Sequence, residues 1–161
     1  MTAFIAGTRQ GSMSAAEGPT LMYVPAEAIY KVTKPWGYEL WLNGRHPHYS
    51  LKFIYLREGT KTSLQYHEQK YETNVLFSGA ARLHFVSDDR VYEPSEQPID
   101  IRTVKLAPIS VVDIPPGTIH RIEAVSDVIL VEASTSHLYD VVRLEDDSGR
   151  KSGWIDSEHS S

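Results

Sequence analysis

Short strand-like runs separated by turns make up most of the sequence. The runs are about five residues long and rich in β-branched and aromatic side chains, whereas the 3.6-residue apolar repeat of amphipathic helices is scarce. Many short strands of this kind are typical of an all-β sandwich or barrel. A run from His137 to Leu144 is predicted to be a final strand or a short helix. The other predicted strands are Ile29–Thr33, Tyr38–Leu42, Tyr49–Leu56, Gln65–His67, Glu72–Phe77, Ala81–Val86, Val104–Leu106, Ser110–Ile114, His120–Ala124 and Val128–Ala133.

The length of 161 residues predicts one folded domain, since domains commonly contain about 100–200 residues. Hydrophobic residues make up 41% of the chain and charged residues 23%, which is ordinary for a folded protein and excludes wholesale disorder. Residues 1–20 are rich in small and polar residues and are predicted to be a disordered leader or a tag. Residues 21–150 are predicted to form the domain, and 151–161 a polar C-terminal tail. Asp88–Ile101 is predicted to be an exposed hairpin or loop.

Charge and composition narrow the possible partners. The formal net charge is −5 and no run of Lys and Arg exceeds two residues, which argues against nucleic-acid binding. The chain has no cysteine, which excludes disulfides, thiolate ligands and thiol nucleophiles. No apolar run approaches the roughly 20 residues of a membrane-spanning helix, and a signal peptide is not evident. We therefore expect a cytoplasmic protein that binds neither nucleic acid nor membranes.

A polar stretch between Gly59 and Gly79 contains three candidate metal ligands, Gln65, His67 and Glu72. Alternate residues of a strand face the same side, so Gln65 and His67 point together. Their neighbour Glu68 faces the opposite way and is excluded from the predicted site. Glu72 follows after a four-residue turn. The stretch thus presents an amide, an imidazole and a carboxylate on one predicted hairpin.

A second histidine follows the rigid turn Pro115-Pro116-Gly117 about fifty residues later. The interior of a β-barrel is normally apolar, so inward-facing polar side chains need a partner there. A divalent metal provides one, and two imidazoles, a carboxylate and an amide oxygen suit Zn²⁺, Mn²⁺, Fe²⁺ or Ni²⁺. The predicted ligands of one divalent metal are Gln65, His67, Glu72 and His120.

These two segments resemble the paired motifs of the cupin superfamily, written G-x5-H-x-H-x4-E-x6-G and G-x5-P-x-G-x2-H-x3-N. The first motif is kept in spacing, with Gln65 in place of its first histidine. The resemblance implies a double-stranded β-helix, the cupin jelly roll. The second motif keeps its proline, glycine and histidine but departs at both ends, where its positions are Ile109, Pro115, Gly117, His120 and Ala124.

Gln65, preceded by Ser63-Leu64, narrows the resemblance to the C-terminal cupin domain of type II phosphomannose isomerases. This resemblance implies zinc as the metal, a sugar or sugar phosphate as the ligand, and interconversion of an aldose and a ketose. It also implies a homodimer, with residues 21–33 as the predicted contributor. The nucleotidyltransferase to which such domains are commonly fused is not implied. Similar segments are Lys34–Glu39, Ser63–His67, Pro115–Arg121 and Arg143–Arg150, so the likeness covers roughly residues 32–150.

Isomerisation through an enediol requires a base that moves a proton between two carbons. The candidates are Lys52, His84 and a metal-bound hydroxide. Lys70 stands where the isomerases typically have arginine, and Thr73-Asn74 where they commonly have His-Trp, so the predicted sugar pocket differs from theirs. Cations that could bind a phosphate or another anionic group are Lys52, Lys70, Arg82, Arg121 and Arg143.

Two other functions fit the same residues. His67, Glu72 and His120 alone form the 2-His-1-carboxylate set of non-haem iron oxygenases, and other cupin chemistry such as epimerisation or lyase action uses the same fold. A non-catalytic cupin that binds a sugar or a metal is the third hypothesis, since fold does not fix function. Trp36 also has two interpretations, a plug that closes one end of the barrel or a stacking platform for a sugar.

Overall fold

The computed structural model describes residues 21, 23–44, 46–86 and 100–159. The predicted leader at 1–20 and most of the predicted loop Asp88–Ile101 lie outside these residues. The described chain contains eleven strands and two single-turn 3₁₀ helices, Ala26–Ala28 and Asp156–Glu158. No helix in this part of the chain is long and apolar enough to cross a membrane.

The strands form two antiparallel sheets. Sheet A has the order β1-β2-β3-β10-β5-β8, and sheet B has the order β11-β4-β9-β6-β7. Strands distant in sequence are neighbours in both sheets, as expected of a jelly roll, and the predicted all-β architecture is confirmed. The bounds are β1 Tyr30–Lys34, β2 Gly37–Trp41, β3 Tyr49–Leu56, β4 Leu64–His67, β5 Glu72–Ser78, β6 Ala81–Val86, β7 Ile101–Leu106, β8 Val111–Ile114, β9 His120–Ala124, β10 Val128–Thr135 and β11 Val141–Glu145.

Most predicted strand boundaries agree with the structure within one or two residues. Three strands, β3, β6 and β9, have the predicted bounds. β7 is longer, because it begins at Ile101 where a loop was predicted and pairs with β6 along its whole length. The run 137–144 contains a strand, β11, rather than a helix.

The two sheets bury an apolar core at one end of the barrel. Alternate residues of β3 and β10 point inward, and their apolar members meet those of β6 and β9 across the barrel. Trp36, in the turn between β1 and β2, packs into the same cluster. Its members are Trp36, Ile54, Leu56, Leu76, Ala81, Leu83, Leu106, Ile122, Ala124, Val128 and Leu130.

Polar side chains replace apolar ones farther along the inner face of sheet A. The register pairs Trp41 with Lys52, Lys52 with Glu132, and Glu132 with Asn74. Side chains that face each other across paired strands lie close together on one face of the sheet. Three neighbouring strands, β3, β10 and β5, thus form one polar row beside the apolar core, and Trp41 of β2 flanks it.

The segment after β11 differs from the predicted polar tail. Residues 153–159 pack against the barrel, where the rings of Trp154 and His159 stack with their centroids 3.4 Å apart. The Tyr30 hydroxyl lies 3.0 Å from Nδ1 of His159, and the Lys34 ammonium donates a 2.6 Å hydrogen bond to Glu158. Aromatic contacts and a buried ion pair therefore hold a segment whose composition alone predicts fraying.

Leu56→Ala should lower the free energy of unfolding by about 3 kcal/mol, because the change removes buried apolar atoms and leaves a cavity. Leu56 is fully buried in the core. Urea denaturation measures the loss. Leu21→Ala is the matched control, since Leu21 is 90% exposed and its change should stay within about 0.5 kcal/mol. Equal losses in the two variants would contradict the assigned core.

Candidate metal centre

Strand register brings the predicted ligands together. Gln65 and His67 are alternate residues of β4, and Gln65 is the cross-strand partner of His120 on β9. Glu72 begins β5 in the opposite sheet. The backbone N–H of Gly117, in a left-handed conformation with φ of 79°, donates a 2.7 Å hydrogen bond to the carbonyl of His67. The turn before β9 is therefore fastened to the end of β4.

His67, Glu72 and His120 present their ligand atoms within 4.8 Å of one another. Nε2 of His67 lies 3.2 Å from one carboxylate oxygen of Glu72, and Nε2 of His120 lies 3.5 Å from the other. All three side chains are buried. Three of the four predicted ligands thus converge, although they come from three strands.

Gln65 lies beside this group. Its side-chain nitrogen is 3.4 Å from Nε2 of His67, and its carbonyl oxygen accepts a 2.6 Å hydrogen bond from the Ser63 hydroxyl. The oxygen and nitrogen of an amide exchange places on a half-turn of χ3. In the exchanged orientation the oxygen faces the histidines, and the nitrogen can donate to Ser63. That Gln65 is the fourth ligand stays a prediction.

The Nδ1 atoms of His67 and His120, which point away from the centre, each have a hydrogen-bond partner. Nδ1 of His67 lies 2.9 Å from the carboxylate of Asp140, and Nδ1 of His120 lies 2.9 Å from the carbonyl of Thr118. Donation from these Nδ1–H groups fixes the tautomer and leaves each Nε2 with a free lone pair directed at the centre. Asp140 also accepts hydrogen bonds from the backbone N–H groups of Gln69 and Lys70. Burial raises the pKa of Asp140, but these hydrogen bonds and that from His67 outweigh it and lower the pKa.

The donor set fits a divalent cation. Burial raises the pKa of the Glu72 carboxyl, the adjacent Lys70 ammonium lowers it, and the net shift is to well below the usual range. An ionised carboxylate and two imidazole nitrogens with free lone pairs suit Zn²⁺, Mn²⁺, Fe²⁺ and Ni²⁺. The residues that would hold the ion are His67, Glu72 and His120. Zinc stays a prediction.

A row of alternating charges extends from the metal centre. The Lys70 ammonium contacts Glu72 and lies 2.9 Å from Glu132. Lys52 lies 3.6 Å from Glu132 and 3.4 Å from Glu39. The Lys34 ammonium continues the row: it lies 3.7 Å from the carboxylate of Glu39 and 2.6 Å from that of Glu158. The members of this charge row, in order, are Glu72, Lys70, Glu132, Lys52, Glu39, Lys34 and Glu158.

Pairing keeps Lys70 and Glu39 of the charge row ionised despite their burial. Burial disfavours the charged form of Lys70, but Glu132 and Glu72 outweigh burial and raise the pKa of its ammonium. Burial likewise raises the pKa of Glu39, whereas Lys52 and Lys34 outweigh it and hold the pKa at about 2. The ammonium of Lys70 and the carboxylate of Glu39 therefore stay charged near neutral pH.

The metal centre and the charge row line one cavity of about 110 Å³. Its apolar floor contains Ile54, Ile122, Leu130 and Trp36, so Trp36 contributes to the packed core and also to the cavity wall. Its use as a platform for a sugar stays a prediction. The remaining wall comes from β11 and the C-terminal segment, with Leu138, Val141, Arg143, Arg150, Gly153, Trp154, Ile155 and His159.

The structure does not bring His84 and Arg82 to this cavity. Leu83 between them points into the core, so strand alternation directs both outward from sheet B. Nε2 of His84 lies 2.8 Å from the carboxylate of Glu123, and Arg82 pairs with the same carboxylate at 3.0 Å. The predicted catalytic role of His84 and the predicted substrate role of Arg82 have no support from this placement.

Arg121 also lies apart from the cavity. It neighbours His120 on β9 and so faces the other side of the strand, where it donates a 2.8 Å hydrogen bond to the carbonyl of Thr62. Its guanidinium also lies 3.5 Å from Glu145 and 3.3 Å from Asp147. Lys52 and Lys70 do line the cavity. Of the five cations predicted to bind an anionic group, Lys52, Lys70 and Arg143 therefore line the cavity.

Several buried charged residues at the site were missed by the sequence analysis. Glu132 follows Val128 and Leu130 at the same inward phase of β10, and Glu39 shares its phase with Trp41 on β2. A single glutamate at an inward position of an apolar strand is a signal that could have found Glu132. The other missed residues, which no local pattern marks, are Lys34, Asp140, Arg150 and Glu158.

Comparison with known proteins supports the fold. No protein-family model and no curated protein matches the chain. Among solved structures it is similar to CapF in complex with an inhibitor, with 19% identity and a TM-score of 0.58 over 76% of this chain and 37% of that one. Oxalate decarboxylase from Lactobacillus farciminis is 15% identical, with a TM-score of 0.57 over 73% of this chain and 34% of that one. KdgF from Halomonas sp. is 12% identical, with a TM-score of 0.56 over 73% of this chain and 96% of that one.

These neighbours are cupin-fold proteins, so the chain has the cupin jelly roll that its motifs predict. The chain spans about a third of the length of the first two neighbours. At these identities the similarity concerns the fold alone.

His120→Ala should weaken Zn²⁺ binding by at least about 100-fold, because it removes one of three converging ligands. Titration calorimetry of chelator-treated protein measures the affinity. His84→Ala is the matched control, since that imidazole lies on the outer face of sheet B and should leave the affinity unchanged. Wild-type affinity in His120→Ala would contradict the assigned centre.

Asp140→Asn should weaken Zn²⁺ binding by about 10–100-fold while one ion still binds, since Asp140 orients His67 without belonging to the ligand group. Competition with a chromophoric chelator gives both quantities. Asp147→Asn changes the same chemical group at an exposed position and should have no effect. Equal affinities for the two variants would exclude the orienting role.

Proposed function

We propose that the protein is a metal-dependent cupin enzyme that interconverts aldose and ketose sugars, as mannose-6-phosphate isomerases do with their phosphosugars. The observation that carries the proposal is the position of the His67, Glu72 and His120 group in the same cavity as the charge row. The resemblance of the sequence to phosphomannose isomerases supports the same class of reaction.

A divalent cation bound here supplies a Lewis acid that polarises the sugar carbonyl and stabilises negative charge on the neighbouring oxygens. His67, Glu72 and His120 would hold it, and the Asp140 carboxylate and the Thr118 carbonyl keep both imidazoles oriented.

The ammonium groups of Lys70 and Lys52 bind and orient the sugar in this proposal. Both line the cavity, and the raised pKa of Lys70 keeps it protonated as a hydrogen-bond donor. Lys52 lies between Glu39 and Glu132. A base must be unprotonated, so we assign the lysines to hydrogen-bond donation and not to proton abstraction from carbon.

Glu132 is the proposed base. It lies between the two lysines, lines the cavity and is one ammonium group away from Glu72. Its carboxylate takes the proton from C2 of the aldose as the electron pair forms the C1–C2 double bond and the C1 carbonyl oxygen gains a proton. Return of the proton to C1, with loss of the proton on the C2 oxygen, gives the ketose. The steps balance without an oxidant or reductant.

Proton NMR in D₂O tests the reaction with Zn²⁺-loaded protein and the aldose–ketose pairs mannose/fructose and mannose 6-phosphate/fructose 6-phosphate. The C2 proton signal of the aldose and one C1 proton signal of the ketose should disappear, and chelation should stop the exchange. Glu132→Gln should lower the rate at least about 100-fold and keep Zn²⁺ bound, since it removes a general base.

Glu123→Gln is the matched control, because that carboxylate pairs with Arg82 and His84 outside the cavity. It should keep the wild-type rate. Silence with both sugar pairs while Zn²⁺ is bound would contradict the isomerase proposal, and full activity in Glu132→Gln would exclude Glu132 as the base.

A non-haem iron oxygenase is the second candidate, and the convergence of two histidines with one carboxylate favours it. Such an enzyme should require Fe²⁺ and consume oxygen with its substrate. An isomerase should work anaerobically with redox-inert Zn²⁺. Oxygen-electrode measurements on the Fe²⁺-loaded protein with the same sugars separate the two.

A further inference from the structure

Four of the five cationic groups that line the cavity are paired with carboxylates, whereas Arg143 donates hydrogen bonds to the backbone carbonyls of Lys151 and Gly153. In the described part of the chain the lining contains five cationic side chains and four glutamates, and Asp146 adds a fifth carboxylate 2.6 Å behind Arg150. The five cations are Lys34, Lys52, Lys70, Arg143 and Arg150. With Asp146 counted behind the lining, cationic groups and carboxylates are equal in number around the cavity.

Glu158 is the last member of the charge row, at the opposite end from the candidate metal ligand Glu72. Its carboxylate lies 2.6 Å from the Lys34 ammonium and 3.1 Å from the Arg150 guanidinium, and all three side chains are about nine-tenths buried. A phosphate group entering here would meet two cations already paired with Glu158, and Glu39 stands 3.7 Å from Lys34. Because burying a dianion without excess cations is unfavourable, this end of the cavity disfavours a phosphate.

The same wall suits uncharged hydroxyl groups. A hydroxyl donates one hydrogen bond and accepts others, so it matches a wall in which ammonium donors alternate with carboxylate acceptors. The distances from Lys52 to Glu39 and Glu132, 3.4 and 3.6 Å, exceed ordinary hydrogen-bond lengths, which leaves N–H groups of Lys52 for ligand oxygens. The buried Nε1–H of Trp36 also lines the cavity without an acceptor among the described residues.

We propose that the cavity binds an unphosphorylated sugar, and that the Glu158 carboxylate excludes phosphorylated sugars from it. This rests on the proposed function only in taking a sugar as the ligand. Glu158 acts as a specificity-determining residue, because it neutralises the cations that a phosphate needs. The preference is opposite to that implied by the resemblance to phosphomannose isomerases.

Titration calorimetry tests the preference as binding, independently of turnover. Zn²⁺-loaded protein is titrated with mannose, fructose and their 6-phosphates at constant ionic strength. The neutral sugars should bind at least ten-fold more tightly than the phosphates. Tighter binding of either phosphate, with an affinity that falls as salt is raised, would overturn the proposal, as would absence of binding by both neutral sugars.

Glu158→Gln should strengthen binding of mannose 6-phosphate at least ten-fold relative to binding of mannose, because it frees the charges of Lys34 and Arg150. Phosphate bound directly to the ion contributes equally to wild type and variant, so it cancels in the comparison. Glu123→Gln is the control and should change neither affinity. Unchanged phosphosugar affinity in a folded Glu158→Gln protein would overturn the gating role.

Should Glu158→Gln fail to fold, the wild-type comparison of neutral and phosphorylated sugars still decides the proposal. The failure of this proposal can also be distinguished from the failure of the isomerase proposal. Preferential binding of neutral sugars without proton exchange would uphold this inference and reject the isomerase. Exchange confined to phosphosugars would do the reverse.

Discussion

The buried carboxylate of Glu72 is the group on which the rest of the site depends. An unpaired charge in the barrel would cost several kcal/mol, and here two imidazoles and the Lys70 ammonium surround it. The ammonium of Lys70 in turn requires Glu132, and the pairing continues along the charge row to Glu158. The candidate metal-binding group and the charge row along the cavity wall are thus one electrostatic system, in which removing a member leaves its neighbour unpaired.

The barrel separates stability from function along its length. One end is filled by apolar side chains from both sheets, and the other carries the polar row and the metal centre. The apolar end stabilises strands whose polar continuations are costly to bury. The C-terminal segment closes the cavity with aromatic rings and a carboxylate, so it shapes the pocket although it follows the last strand.

The all-β fold and the grouping of His67, Glu72 and His120 were predictable from local spacing in the sequence. Alternation within β4 directs Gln65 and His67 to one side, and the turn before β9 holds His120 against the same strand. The placement of His84 was legible too, since its neighbour Leu83 has the inward phase of β6. Without the inward phase of Leu83, the polar character of His84 does not show to which side of the strand its side chain points.

The sequence by itself determined an all-β fold and the candidate group His67, Glu72 and His120, because strand periodicity and turn chemistry act over a few residues, and its motif resemblance implied the jelly roll. Only the tertiary structure decided which charges face one another. Glu132 meets Lys70 across 62 residues of sequence, and Glu158 meets Lys34 across 124. Such pairs are set by sheet register and by the path of the C-terminal segment, which minimise the free energy of the whole fold. No local pattern encodes them, and for that reason the charge balance of the cavity emerged only from the assembled barrel.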